Sequence, residues 1–225
     1  MLAPDQRGYS PGARSHRRRD YALGVLAGDV LALADQAGAQ RFDLVGHDWG
    51  ALLGWWVAGH HPDRVRSLTA LAVPHPGAIR EAWTRSAQAL RSYYILVFQL
   101  PGLPERIVGF RRGALLRRNL IASGLDPESA DRFSRRDDWT GPINWYRGIP
   151  FSGPAGRMPR IGVPTLFIRG DRDKFVSRTA AERCARWVAG PYTYRVLPGV
   201  SHWIAEREPA RTAALILELL ASRPA

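Results

Sequence analysis

The stretch Leu44-Val45-Gly46-His47-Asp48-Trp49-Gly50-Ala51 limits the fold of this chain more than any other. Phe42 to Val45 is a short apolar run with the pattern of a buried strand, and Ala51 to Val57 reads as the helix that follows. Only the five residues Gly46 to Gly50 turn the chain between them. A strand that passes so abruptly into a helix takes a strained backbone, and small residues at Gly46 and Gly50 let the two elements pack closely around it. The middle side chain, the carboxylate of Asp48, is then lifted clear of the sheet. The plainer alternative is an ordinary strand-to-helix turn in which Asp48 is the N-cap.

Gly46-x-Asp48-x-Gly50 resembles the nucleophile elbow of the α/β-hydrolase superfamily, in its epoxide hydrolase and haloalkane dehalogenase branch, where Asp occupies the position held by Ser in serine hydrolases. A carboxylate suits attack on an sp3 carbon bearing a leaving oxygen or halide, because it forms an alkyl ester that water then hydrolyses at the carboxyl carbon. The resemblance further implies that the Trp49 backbone N–H holds the oxyanion of that second step. By the same resemblance the Trp49 indole N–H is available to a halide, and His47 and Trp49 belong to the oxyanion and substrate-binding region.

With 225 residues, 45% of them hydrophobic, the chain is long enough for one domain with a sizeable core and an insertion. The formal charge of +12 invites a nucleic-acid reading. Lys174 is the only lysine, however, and the arginines are scattered from Arg7 to Arg223, with short clusters at Arg17-Arg18-Arg19, Arg111-Arg112, Arg117-Arg118 and Arg135-Arg136. We read a bias towards Arg rather than a nucleic-acid site. Cys184 stands alone, which excludes a disulfide within the chain and a cysteine metal cluster. No signal peptide opens the sequence and no long apolar run suggests a membrane span, so a soluble cytoplasmic protein is expected.

Met1-Leu2-Ala3-Pro4-Asp5 reads as the tail of a buried strand, leading into the loop Gln6-Arg7-Gly8-Tyr9-Ser10, similar to the "D-x-R-G-x-S" stretch that precedes the elbow unit in the family. Asp20 to Ala37 has helical apolar spacing and stops at Gly38. Val65 to Val73 is the next strand, which gives the βαβ rhythm of a parallel sheet. His60 and His61 before it have no third ligand nearby and read as solvated residues at a helix end. No metal and no cofactor is expected.

After Pro74-His75-Pro76-Gly77, where the family commonly inserts its lid, the alternation stops and helical stretches take over as far as Arg160. The expected division is therefore a first part of the core over 1–76, a helical lid over 77–160 and a second part of the core over 161–225. Within the lid, Tyr93-Tyr94-Ile95-Leu96-Val97-Phe98-Gln99-Leu100-Pro101-Gly102 and Gly141-Pro142-Ile143-Asn144-Trp145-Tyr146-Arg147 are similar to the two epoxide hydrolase segments that each carry a catalytic tyrosine. The match falls on Tyr94 and Tyr146, with Tyr93 a competitor of Tyr94; a phenol can donate the proton or hydrogen bond that an opening epoxide needs.

Val163 to Ile168 returns to a strand pattern that ends in Arg169-Gly170-Asp171-Arg172-Asp173-Lys174. Asp173 matches the family position of the acid that orients the base; Asp171 reads as a brace of the loop and as the alternative acid. Tyr192 to Leu197 alternates as the last strand, Pro198-Gly199-Val200-Ser201-His202 delivers a histidine beyond it, and Ala210 to Leu220 closes as an amphipathic helix. The order Asp48, Asp173, His202 is the nucleophile, acid, base order of α/β-hydrolases.

The resemblance starts near the fourth strand of that fold. About three strands and a helix expected by analogy are missing ahead of Met1, together with the His-Gly motif that supplies a second oxyanion donor, so an N-terminally truncated α/β-hydrolase with an open side beside the elbow strand is expected. The leading reading is a hydrolase that opens a small apolar epoxide to a diol, with no nucleic-acid or membrane partner and an oligomeric state that the sequence does not fix. A haloalkane dehalogenase and a non-catalytic remnant are the alternatives.

Overall fold

The computed structural model describes residues 1–136, 138–153 and 158–222. Residues 137 and 154–157 of the expected lid, and 223–225 of the last segment, lie outside the described residues.

Four parallel strands build the sheet, β1 (Phe42–His47), β2 (Val65–Leu71), β3 (Thr165–Gly170) and β4 (Tyr192–Leu197), in the spatial order of their sequence. Leu44 lies opposite Leu68, Thr69 opposite Leu166, and Thr165 opposite Tyr192. The central strands are mostly apolar because both of their faces are covered; β3 is buried at every residue, and on β2 only Arg66 is exposed. Phe167 of β3 turns to a cluster with Leu26, Leu53, Trp55 and Leu68, supplied by α1 (Leu23–Gln36), α2 (Trp49–His60) and β2. Its neighbours Leu166 and Ile168 turn the other way, to Leu197, Ile204 and the half-buried Leu215 and Leu219 of α12 (Pro209–Ala221). Each such fully buried side chain contributes ~1.5–3 kcal/mol.

β1 is an edge of the sheet, and Val45 on it is 46% exposed. The open side expected next to the elbow strand is present. Met1 to Asp5, expected as a strand tail, is instead exposed and unpaired. A strand persists only where a neighbour takes its backbone hydrogen bonds, and no described strand lies beside these residues. The first helix also starts later than its pattern suggests, at Leu23, after a short 3-10 turn over Arg18–Tyr21.

Between β2 and β3 the described elements are helical, apart from an isolated bridge of Ile161 to Val188. They are α3 (Pro76–Trp83), α4 (Gln88–Arg91), α5 (Tyr94–Val97), α6 (Leu103–Gly109), α7 (Ala114–Ala122), α8 (Pro127–Ser134) and α9 (Thr140–Arg147). The buried Arg147 clamps this layer: it pairs with Glu105 and donates to the carbonyls of Phe98, at 2.9 Å, and Leu100, at 2.6 Å. α10 (Arg178–Arg183) and α11 (Ile204–Arg207) complete the helices. Among the described residues no helix is long and apolar enough to cross a membrane.

Candidate active site

Asp48 sits between β1 and α2 at φ 52° and ψ −116°. A non-glycine residue in such a conformation carries on the order of 1–3 kcal/mol of strain, sustained only where its surroundings fix it. Here the Asp48 N–H donates to the Leu71 carbonyl at 3.3 Å and its own carbonyl accepts from Leu52 N–H at 3.1 Å. The two elbow glycines are not equivalent. A Cβ on Gly46 would lie 2.2 Å from the Gly50 carbonyl oxygen, whereas a Cβ on Gly50 would meet only Gln6, at 3.9 Å. Close packing thus demands the first glycine and leaves room at the second. The Asp48 side chain makes no capping bond to α2, and 43% of its surface stays accessible. It is aimed into a cleft rather than spent on the helix.

His202 reaches it from the loop after β4. Its Nε2 lies 3.3 Å from Asp48 Oδ1 and its Nδ1 2.8 Å from Asp173 Oδ2. Asp173 is buried, and its other carboxylate oxygen accepts the N–H groups of Phe175 and Val176 at 2.7 and 2.9 Å. Both oxygens of this acid are therefore engaged, one by two backbone N–H groups and the other by His202. Asp171 takes the Gly199 N–H at 2.7 Å and braces the histidine loop, so the two candidate acids separate into one partner of His202 and one brace. His47 has its Nε2 at 2.9 Å from the His202 carbonyl, behind the site, so this ring nitrogen is committed to the main chain of the base rather than to a ligand.

The electrostatics follow from this arrangement. Burial works against ionisation of Asp48, but the hydrogen bond and charge of His202, with help from His47 and the Trp49 N–H, outweigh it and lower its pKa. Burial likewise disfavours the imidazolium of His202, yet the two carboxylates flanking it win and raise its pKa to about 10. The arrangement therefore favours a protonated His202 beside an ionised Asp48.

Above Asp48 stands a wall of aromatic rings from the helical layer. Tyr146 packs edge-on against Trp49 with ring centroids 4.7 Å apart, and Tyr94 lies 5.8 Å from Tyr146. Phe175 joins the wall to the base, 6.4 Å from Tyr94 and 4.9 Å from His202. Tyr93 is 66% exposed, whereas Tyr94 packs on Tyr146 in the wall. Burial comes first for both phenols; Asp48 follows for Tyr94, and Tyr94 and then Asp48 for Tyr146, and together they raise both pKa values, so both phenols keep their protons.

Tyr9 is a third such phenol, pushed to about 12 by burial and then by Asp48, and the sequence pattern assigns it no chemistry. It is brought in by α9: the Trp145 indole donates to the Arg7 carbonyl at 2.8 Å, and a Cβ on Gly141 would lie 2.3 Å from the Gly8 carbonyl oxygen. The paired glycines Gly8 and Gly141 were the only signal of this close approach. Among the described residues no cluster of His, Cys, Asp and Glu has the makings of a metal site.

Comparison with known proteins agrees with this geometry. The profile of the α/β hydrolase fold family matches residues 1–209. Epoxide hydrolase A of Mycobacterium tuberculosis is 33% identical over 98% of this chain and 81% of its own length. Epoxide hydrolase 3 of Xenopus tropicalis is 29% identical over 97% of this chain, which spans 63% of that relative. The crystal structure of epoxide hydrolase A from Mycobacterium thermoresistibile superposes with a TM-score of 0.79 at 26% identity, covering 96% of this chain and 81% of that one. The chain belongs to the α/β-hydrolase fold family, in its epoxide hydrolase branch.

Proposed function

We propose that this chain converts epoxides to diols through an ester on Asp48. The observation that carries the reading is the single imidazole of His202 bridging Asp48 and Asp173 beneath two protonated phenols. Asp48 attacks an epoxide carbon, and the C–O bond breaks as the ring oxygen takes hydrogen bonds and then a proton from Tyr94 or Tyr146. Ester formation removes the charge of Asp48. That charge is one of the causes that keep His202 protonated and the phenols undissociated, so the pKa of each falls as the alkoxide forms. The proton that His202 releases restores the tyrosine, and the imidazole becomes neutral when a base is first required.

His202, oriented by Asp173, then takes a proton from water as the water oxygen attacks the ester carbonyl, with the Trp49 N–H as oxyanion donor. Collapse releases the diol, returns Asp48 as a carboxylate and leaves His202 protonated, which closes the cycle with one water consumed. A small apolar epoxide suits the aromatic surroundings that Trp49, Tyr94, Tyr146 and Phe175 provide. Haloalkane hydrolysis by the same carboxylate needs no phenolic proton, and the paired tyrosines favour the epoxide.

The deciding experiment is His202→Gln mixed with styrene oxide and, separately, with 1-bromobutane. Intact-mass and peptide analysis are expected to find a stable adduct on Asp48 from the epoxide, because alkylation proceeds while hydrolysis lacks its base. An adduct formed faster from the bromide would favour dehalogenation, and no adduct from either would refute Asp48 as nucleophile.

A further inference from the structure

α6 buries one stripe and exposes the other. Pro104 and Val108 face inward, while Leu103, Ile107 and Phe110, spaced as neighbours along one face, are 46%, 40% and 60% exposed. Ile107, Phe110, Arg106 and the half-buried Leu115 surround an open apolar hollow of about 300 Å³. Isolated exposed apolar residues are ordinary on a protein surface; a stripe with its own hollow marks a contact.

The charge around this stripe is predominantly positive. From Leu103 to Ala122 the chain carries five arginines and one carboxylate, Glu105, and that carboxylate is turned onto Arg147. Arg117 is paired with Asp131, but Arg106, Arg111, Arg112 and Arg118 are exposed and form no ion pair with any described residue. The turn that holds Arg111 and Arg112 is left-handed at φ 49° and 56°, and Gly113 anchors it, since a Cβ there would lie 2.5 Å from the Ser134 carbonyl oxygen. The Arg111 guanidinium sits 5.6 Å from the Phe110 ring centroid, so the outermost aromatic and the cationic turn form one surface.

We propose that the outer face of α6 and its turn into α7 dock on an anionic lipid bilayer, with Leu103, Ile107 and Phe110 entering the interface and Arg106, Arg111, Arg112 and Arg118 meeting acidic headgroups. The combination of an apolar stripe and a cationic rim is what interfacial binding requires. A nucleic acid would use the arginines and could stack a base on Phe110, but it offers little to the aliphatic Leu103 and Ile107. A second copy of this chain would use the stripe but, packed about a two-fold axis, would set the same unpaired arginines against each other.

The test is sedimentation of the full chain with vesicles of phosphatidylcholine alone and of phosphatidylcholine with roughly one-third phosphatidylglycerol. Binding to the anionic vesicles only, weakening with salt, is expected. Ile107→Ser with Phe110→Ser should lower the partition coefficient at least about tenfold, and Arg106→Gln with Arg111→Gln about fivefold per arginine, with unchanged thermal melts. Arg195→Gln with Arg211→Gln removes equal charge from exposed arginines on β4 and α12 and should leave binding intact. The proposal is overturned if anionic vesicles are not bound, or if that control loses as much as the α6 variants. It is overturned equally if short single-stranded RNA binds more tightly than the vesicles and indifferently to the Ile107 and Phe110 changes. Self-association that those changes abolish, without vesicle binding, would assign the face to a second copy and also overturn it.

Discussion

The sheet and the helical layer each contribute to one site but hold their residues by different means. Asp48, Asp173 and His202 stand at strand ends, and main-chain hydrogen bonds fix their loops: Asp48 N–H to the Leu71 carbonyl, Asp171 N–H to the Leu197 carbonyl at 3.2 Å, Arg172 N–H to the Val200 carbonyl at 2.9 Å. Tyr94 and Tyr146 stand on helices of four and eight residues and are located by ring contacts with Trp49, Phe98 and Phe175. Hydrogen bonds of a sheet are directional and leave few alternatives, whereas edge-on aromatic contacts worth ~0.5–1.5 kcal/mol tolerate small rearrangements. The lower half of the site is built for one geometry, and the upper half can adapt to a substrate.

The largest expected effect breaks the lower half. Gly46→Ala forces a methyl group against the Gly50 carbonyl and should cost several kcal/mol, leaving a chain that no longer melts cooperatively in calorimetry. A cooperative melt close to that of the parent would show that the elbow relaxes freely.

Next comes the upper half. Replacing Tyr94 and Tyr146 together by Phe keeps the rings and removes both donors, so single-turnover ester formation from an epoxide should slow on the order of 10²-fold or more, while any reaction with 1-bromobutane is spared. Fold and melt should be nearly unchanged. Near-normal epoxide turnover would mean that the tyrosines only pack.

Titration then separates the halves more finely. The folded-state pKa of His202, at about 10, lies above its ordinary 6.5, so its contribution to stability is complete below the lower value and is lost as pH rises towards the higher. The melting temperature of the parent should therefore fall between about pH 7 and 9, before phenols titrate in the unfolded chain. The fall should be shallower in His202→Gln and unchanged in the tyrosine double variant; a parent melt that is flat over that range would refute the imidazolium. Gly50→Ala is the smallest: with space for the methyl at the start of α2, it should raise stability by up to about 1 kcal/mol in a denaturant titration.

Legibility in the sequence divides along the same line. The elbow and the histidine loop could be read because each is set by a few consecutive residues that end a strand. What the letters could not separate depended on contacts far along the chain. Asp171 and Asp173 have the same local context, and only the position of Gly199 and His202 distinguishes them. Tyr93 and Tyr94 differ in which one faces the cleft. Tyr9 and the Arg147 clamp rest on partners tens of residues away, and no periodicity records them. Met1 to Asp5 was misread for a related reason: a short apolar run looks the same whether a neighbouring strand covers it or solvent does.

The absence of any capping bond from the Asp48 side chain has an evolutionary meaning. The Leu71 and Leu52 hydrogen bonds and the close packing at Gly46 shape the elbow through its backbone, so its turn does not rest on a cap from the group it displays. A hydroxyl or a thiol could be exchanged for the carboxylate without a new scaffold, and the exchange would move the chemistry from alkyl to acyl transfer. Inheritance of such a turn transmits a location, and each lineage is free to choose the reagent placed there.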